Sequence, residues 1–338
     1  MIPKWKGKIR MIHAIIIPML IGFTVFLFGM KAMELALHRS VGHHLHHVLQ
    51  KTTSTPIHGL VVGTAATAVL QSSTAVTVMS IGLVNAGLLT FPRTLGIILG
   101  TNIGTCLTTE LIGLNLNRIA WPLLECSLAL WLLTALIGEM GLAGKSRLQS
   151  FATNWLHPLR NGAVIIGGFA LLIIGIGLMQ SVAPAIQSSG LFSLFLNRAE
   201  DSVVWGLAAG IILSAAVHSS AAVIGIIMGL ASVGAMPVEI GIAIVLGANV
   251  GTCITAILAS IGGTRPGRFV AWSHVVLNVG GALLFAPFVT EIQIVMTWIT
   301  ASPSGQIAHA QTLFNVLSSL IALPLCYHPS LRKLSPNG

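Results

Sequence analysis

The chain reads as an all-α integral membrane protein with two inverted-topology repeats, each holding a re-entrant helical hairpin. Three observations predict this: bulk composition, a long-range internal repeat, and a polar break inside one apolar segment of each half. Of the 338 residues, 54% are hydrophobic and only 7% charged, and mean hydropathy is +0.91; soluble domains carry about 25% charged residues. Apolar runs recur along the whole chain, at Ile15 to Phe28, Gly162 to Met179, Val203 to Val217 and Val238 to Leu258. That excludes a lone signal peptide or single anchor. A span needs roughly 20 apolar residues, so the length accommodates about eight to ten membrane segments with short connections and little soluble domain.

The net charge of +9 comes from Lys and Arg lying mostly between apolar runs, such as Lys4, Lys6, Lys8 and Arg10 before the first and Lys145 and Arg147 in mid-chain. Basic charge so placed speaks of membrane orientation, not of nucleic acid. Cys106, Cys126 and Cys253 sit inside apolar segments and Cys326 closes the last. They imply neither disulfides nor a zinc site. The expected location is the cell membrane, with multiple passes through the lipid bilayer.

The repeat emerges from self-comparison. A gapless offset of 147 residues lays Gly59 to Leu111 over Gly206 to Leu258. Gly59, Gly63, Ser72, Ser73, Gly82, Gly87, Gly100, Asn102, Gly104, Thr105, Cys106 and Thr108 fall on Gly206, Gly210, Ser219, Ser220, Gly229, Gly234, Gly247, Asn249, Gly251, Thr252, Cys253 and Thr255. Chance matching of apolar residues would not select these positions. The preceding helix repeats at an offset of 146, with Gly22-Phe23, Gly29 and Met33 on Gly168-Phe169, Gly175 and Met179.

Each half therefore holds a leading helix, a Gly/Ser/Thr-rich segment and two further helices. In the first half these are expected near 11–37, 59–90, 93–113 and 119–138; in the second near 161–180, 206–235, 237–260 and 268–290, with a last helix near 307–327. The corresponding division is a first repeat over 1–140, a linker over 141–160, a second repeat over 161–291 and a C-terminal helix and tail over 292–338. The Gly/Ser/Thr segment is too long for one crossing and has a polar centre at Gln71-Ser72-Ser73-Thr74, which points to a re-entrant hairpin. Backbone freed at such a break is tolerated at membrane depth only against protein or a water-filled cavity. Three full crossings per half, with the hairpin adding none, invert the second half, a plan common among secondary transporters. A basic N-terminus argues for a cytoplasmic start, yet it would leave Lys145, Arg147, Arg160, Arg265 and Arg268 outside, against the usual bias.

The inverted plan should bring two copies of one polar cluster together near mid-membrane: Gln71-Ser72-Ser73-Thr74 and His218-Ser219-Ser220. Each is followed by a second element, containing Thr101, Asn102 and Thr105 in Gly100 to Thr105, and Asn249 and Thr252 in Gly247 to Thr252. Hydroxyls and amides supply donors for an anion and oxygen ligands for a hard cation. Neither cluster contains a carboxylate, and Asp201 is the only aspartate in the chain. An anion site needs donors instead, which the N-termini of broken helices provide. Phosphate carries one to two negative charges, so its burial calls for accompanying cations such as sodium.

At these residues the sequence resembles the sodium/phosphate cotransporter family, which includes the animal type II carriers and many bacterial members. The carrying motifs are Gln71-Ser72-Ser73, Gly100 to Thr105, Gly247 to Thr252, and a His-x3-Asn motif at His274 and Asn278. The resemblance implies a secondary carrier moving inorganic phosphate coupled to sodium ions, with no other cofactor or metal, and with Gln71, Ser72, Ser73, Ser219 and Ser220 contributing to the binding of both species. The chain departs from the pattern in three places. His218 stands where the second Gln would be, Leu123 or a neighbour replaces the motif histidine in the first half, and Gln311 precedes Asn315 where bacterial relatives tend to have His.

Plainer readings stand beside these. Small polar residues in membrane helices often serve packing alone, and His274, Asn278 and Asn315 are expected to act as supports to the site. Glu110 and Glu125 lie in apolar segments, where a carboxylate is by default a functional candidate; Glu110 is divided between a proton or cation role and a place near the membrane surface. His38, His43, His44, His46 and His47 read as a solvated loop rather than a metal site, no carboxylate or Cys accompanying them. Competing functions are a carrier for another oxyanion, a proton-coupled phosphate carrier, an ion channel, and a membrane lipid-pyrophosphate phosphatase. The last wants clustered Glu and Arg beside Ser, which this sequence lacks near Ser72 and Ser219, so no enzyme is expected.

Overall fold

A computed structural model describes residues 15–139, 147–188 and 190–332. Lys4, Lys6, Lys8, Arg10, Lys145, the first residues of the leading helix and the end of the tail lie outside them. Among the described residues the regular structure is all helical, with no strand. Among the described residues, seven stretches are long and apolar enough to cross a membrane: Ile17–Gly42, Phe91–Gly113, Asn117–Ile137, Trp155–Gln180, Val238–Ser260, Arg265–Ile299 and Pro303–Tyr327. They coincide with the seven full crossings read from the sequence. Four shorter apolar helices lie where the two broken segments were expected.

In chain order the helices are α1 (Ile17–Thr52), α2 (Pro56–Leu70), α3 (Ser73–Asn85), α4 (Phe91–Gly113), α5 (Asn117–Glu139), α6 (Arg147–Gln180), α7 (Ala183–Gln187), α8 (Gly190–Asp201), α9 (Val203–Val217), α10 (Ser220–Ser232), α11 (Val238–Gly251), α12 (Ile254–Ser260), α13 (Arg265–Phe285), α14 (Val289–Ile299), α15 (Pro303–Ala322) and α16 (Pro329–Arg332). Two differences from expectation stand out. The stretch His38 to His47 is helical, not a loop: after Pro18 in its first turn α1 meets no proline until Pro56, where Thr55 caps α2 by accepting from the His58 amide. Ala183–Gln187 and Gly190–Asp201 form α7 and α8, which no repeat signal announced.

Packing divides the chain into two units, Met1–His43 with Leu116–Val182, and His44–Asn115 with Ala183–Gly338. In the first, the leading helices of the two halves cross in antiparallel fashion. A Cβ on Gly22 would meet the Gly175 carbonyl at 2.9 Å and one on Gly29 would meet the Gly168 carbonyl at 2.5 Å; Gly168 and Gly175 face Gly29 and Gly22 in return. Only glycine permits backbones to approach so closely. Because Gly22 and Gly29 are the repeat counterparts of Gly168 and Gly175, this crossing maps onto itself when the halves are exchanged. Helix α5 packs on α6, with Gly167 against the Ser127 hydroxyl and Arg160 Nη2 donating to the Thr134 carbonyl at 3.0 Å.

The second unit holds the broken segments. Helices α2 and α4 run parallel, start beside start: Gly96 lies against Pro56, Gly100 against Leu60 and Gly104 against Thr64. The chain must therefore return to its starting level between them, and α3 is the return. The seam of α9 with α11 repeats this, with Gly247 against Leu207, Gly210 against Ile244 and Gly251 against Ile211. The two sub-assemblies meet end to opposite end. Asn85 at the end of α3 accepts from Thr264 beyond α12, while Gly113 at the end of α4 lies against Gly305 and against Met228 near the end of α10. Helices α4 and α11 thus run in opposite directions. Buried clusters fill each side, one around Phe91, Leu95, Ile98 and Val270, the other around Ile242, Leu246, Met296 and Phe314.

Candidate functional site

The two polar breaks have the same local structure. Helix α2 ends at Gln71 with φ 55° and ψ 27°, and α9 ends at His218 with φ 57° and ψ 26°. This left-handed conformation costs most residues about 1–2 kcal/mol, so it is held in place by what surrounds it. The next residue in each case is an N-cap: Ser72 Oγ accepts from the Ala75 amide at 3.3 Å, and Ser219 Oγ from the Ala222 amide at 3.2 Å. Each break therefore sets the C-terminal carbonyls of one helix beside the N-terminal amides of the next, Ser73 and Thr74 opening α3 and Ser220 opening α10. A carbonyl end attracts cations and an amide end attracts anions.

Side chains distinguish the two. Gln71 is half-buried; its Nε2 donates to the Ala68 carbonyl at 2.6 Å and its Oε1 accepts from Thr108 on α4. His218 is exposed. Hydroxyls of the second element largely turn inward to backbone: Thr101 bonds the Ile98 carbonyl, Thr105 the Thr101 carbonyl, and Thr252 both the Ala248 carbonyl and Ser214. Among the sequence-chosen residues, the structure joins Asn102 to Asn278, Nδ2 to Oδ1 at 3.2 Å. Glu110 is also engaged: it accepts from Thr312, and His309 Nδ1 lies 2.9 Å from its Oε2.

Thr108, Thr312, His309 and Ser214 escaped the sequence reading. Gln311 and Asn315 were noted as a departure from the family pattern, but the first-half counterpart of the His-x3-Asn motif was expected at Leu123 or a neighbour. Cys253 Sγ points at the His274 carbonyl at 3.7 Å, and its repeat partner Cys106 points at the Gln311 carbonyl at 3.8 Å and receives Asn315 Nδ2 at 3.3 Å. The first-half partner of α13 is therefore α15, with Gln311 and Asn315 in the roles of His274 and Asn278. The expectation that Leu123 marks this place is corrected: Leu123 lies on α5, in the other unit. A signal was present. At an offset of 37, Pro266, Ala271, Asn278, Val279 and Leu283 fall on Pro303, Ala308, Asn315, Val316 and Leu320. Among the described residues no group of three or more His, Cys, Asp or Glu side chains is placed to hold a metal ion.

Comparison with known proteins bears on the same segments. The family model of the Na+/Pi-cotransporter matches residues 25–181 and 171–300, two overlapping matches that follow the two halves. An uncharacterized protein of Bacillus subtilis (strain 168), YqeW, is 32% identical over 310 residues, covering 90% of this chain and 94% of the relative. YjbB of Escherichia coli (strain K12), named for a proposed role in inorganic phosphate export, is 25% identical over 302 residues, 89% of this chain. The chain spans only 52% of YjbB. The sodium-dependent phosphate transport protein 2A of Rattus norvegicus is 31% identical over 101 residues, 29% of this chain and 16% of the relative. No solved structure matches the chain. With matches that together run through both polar breaks and both Gly-Asn-Gly elements, this chain belongs to the Na+/Pi-cotransporter family.

Proposed function

We propose that this protein is a secondary active carrier that moves inorganic phosphate across the cell membrane coupled to sodium ions, and that its site is formed by the two polar breaks. The observation that carries the reading is the duplicated break: a left-handed residue, a serine cap, and a fresh helix start, twice, with no carboxylate in either. Neutral hydroxyls and amides beside helix N-termini suit a phosphate. Carbonyls at the ends of α2 and α9 suit a cation beside it. Gln71, Ser72, Ser73, Thr74, His218, Ser219, Ser220, Thr101, Asn102, Thr105, Asn249 and Thr252 are the residues assigned to it, with His274, Asn278, Asn315 and Glu110 behind them.

Alternating access would come from inverted repeats, a reading supported by the antiparallel course of α4 and α11 and by the self-mapping crossing of α1 and α6. Re-entrance of each broken segment is supported by the parallel seams, since arms of 15 and 13 residues reach about 20 Å each, less than the roughly 30 Å hydrocarbon core. One observation favours a second reading, proton coupling: the Glu110–His309–Thr312 contact has no copy in the second half, where Ile257 stands in place of Glu110.

Phosphate flux into proteoliposomes under an inward sodium gradient tests the proposal. Flux should collapse when choline or potassium replaces sodium; equal flux would overturn sodium coupling, and rescue by a proton gradient would move the coupling role to Glu110 and His309.

A further inference from the structure

The equivalence of α13 and α15 exposes a place where the halves differ. Beside α13 the two asparagines are joined: Asn102 Nδ2 donates to Asn278 Oδ1, and Asn278 Nδ2 donates to the His274 carbonyl at 2.9 Å, which leaves only the His274 Nδ1 without a partner there. The matching bond beside α15 would run from Asn249 to Asn315. Asn249 Nδ2 donates instead to its own helix, to the Val245 carbonyl at 2.9 Å. Asn315 spends its Nδ2 on Cys106, and its Oδ1 has no partner although the residue is 0% exposed. One turn earlier Gln311, also 0% exposed, has neither its Oε1 nor its Nε2 hydrogen-bonded. Buried amides normally find partners, and each that does not weakens the fold.

We propose that Gln311 and Asn315 form a site for a hard monovalent cation, bound through Gln311 Oε1 and Asn315 Oδ1 on one face of α15. The inference rests on the sodium-coupled reading, which makes sodium the ion. Amide oxygens are hard ligands, and a pair without a carboxylate of its own suits a single charge better than a divalent ion. Two acceptors against one donor disfavour an anion. A carboxylate stands close by: Glu110 is one turn along α4 from Cys106 and accepts from Thr312, the neighbour of Gln311. The ion would sit apart from the serine-capped breaks, behind the Gly100 to Thr105 element, where its arrival partners the two amide oxygens.

The test uses the full-length protein in detergent without phosphate, comparing sodium chloride with choline chloride at equal ionic strength by thermal unfolding and by equilibrium binding of radioactive sodium. Wild type should show a saturable sodium-dependent rise in Tm. In Gln311→Met and Asn315→Leu the half-saturating sodium concentration should rise about tenfold or more. In choline, the Tm of Gln311→Met should equal or exceed that of wild type, because the unpartnered amide is gone. Should the apolar variants not fold, Asn315→Asp adds a charge to the site and should lower the half-saturating sodium concentration severalfold. Sodium binding unchanged in these variants would overturn this site while leaving sodium coupling intact. A Gln311→Met protein less stable in choline would mean that the amide serves packing or a bound water alone. No sodium binding by wild type would overturn both the site and the coupling.

Discussion

Gln71 and His218 share a backbone conformation and differ in everything their side chains do, so they should not tolerate the same substitutions. Gln71 ties the first break to Thr108, and Gln71→Ala removes an oxygen and a donor together. A lost polar contact of about 1–3 kcal/mol predicts apparent affinity for phosphate or sodium weakened roughly 5- to 150-fold, measured as the half-saturating concentrations of transport. His218→Gln should keep transport, since it makes the second break like the first; abolition of transport by this change, with Gln71→Ala unaltered, would return both clusters to a packing role. Glycines, serines and asparagines at constant offset exposed both breaks, because those residues are required by backbone geometry. Their hydrogen-bond partners stayed hidden: Thr108 and Thr312 are ordinary helix residues until α4 and α15 are docked. Gln311 was visible as a departure from the pattern, but its equivalence to His274 was not, because that equivalence becomes plain only once α13 and α15 are docked on Cys253 and Cys106.

At the scale of elements, the two glycine seams decide whether each broken segment can lie on its long helix. Gly100→Ala would press a methyl group into the Leu60 backbone, and Gly247→Ala into that of Leu207. Backbone cannot yield as a side chain can, so each change should destabilise by about 1–3 kcal/mol and lower Tm or membrane abundance. Gly82→Ala is the matching control. Nothing lies within 4 Å of the added carbon, and alanine favours an α-helix over glycine by about 0.5–1 kcal/mol, so Tm should hold or rise. Helix existence was readable from apolar length, and breaks from polar centres. The extension of α1 through the histidine stretch was not, because composition alone made that stretch look solvated while its helix formers and lack of proline carried the backbone on to Thr52.

For the molecule as a whole, the packing of the second unit sorts its charges by membrane face. Lys51 precedes α2, Arg93 sits in the first turn of α4, and Arg265 and Arg268 open α13, whose start is tied by Thr264 to the end of α3. All four lie at the end from which α2 and α4 set out. At the opposite end, where α9 and α11 begin, Arg198 is accompanied by Glu200, Asp201 and Glu239. The positive-inside bias therefore predicts Lys51 in the cytoplasm and Arg198 outside. Single cysteines at these positions, with exposed Cys126 replaced, should react with an impermeant thiol reagent in intact cells only at position 198. Labelling of both from one side would refute opposed halves, and labelling of 51 alone would reverse the orientation.

The crossing of α1 with α6 also speaks to history. A contact in which Gly22 meets Gly175 and Gly29 meets Gly168 is what two identical chains make about a two-fold axis, each offering the other the same pair of glycines. A gene half this size could have worked as an antiparallel homodimer before duplication and fusion made the partners permanent neighbours. The two halves expressed as separate polypeptides should then find each other in one membrane, and the joint between α5 and α6 should be the place where the chain tolerates being cut.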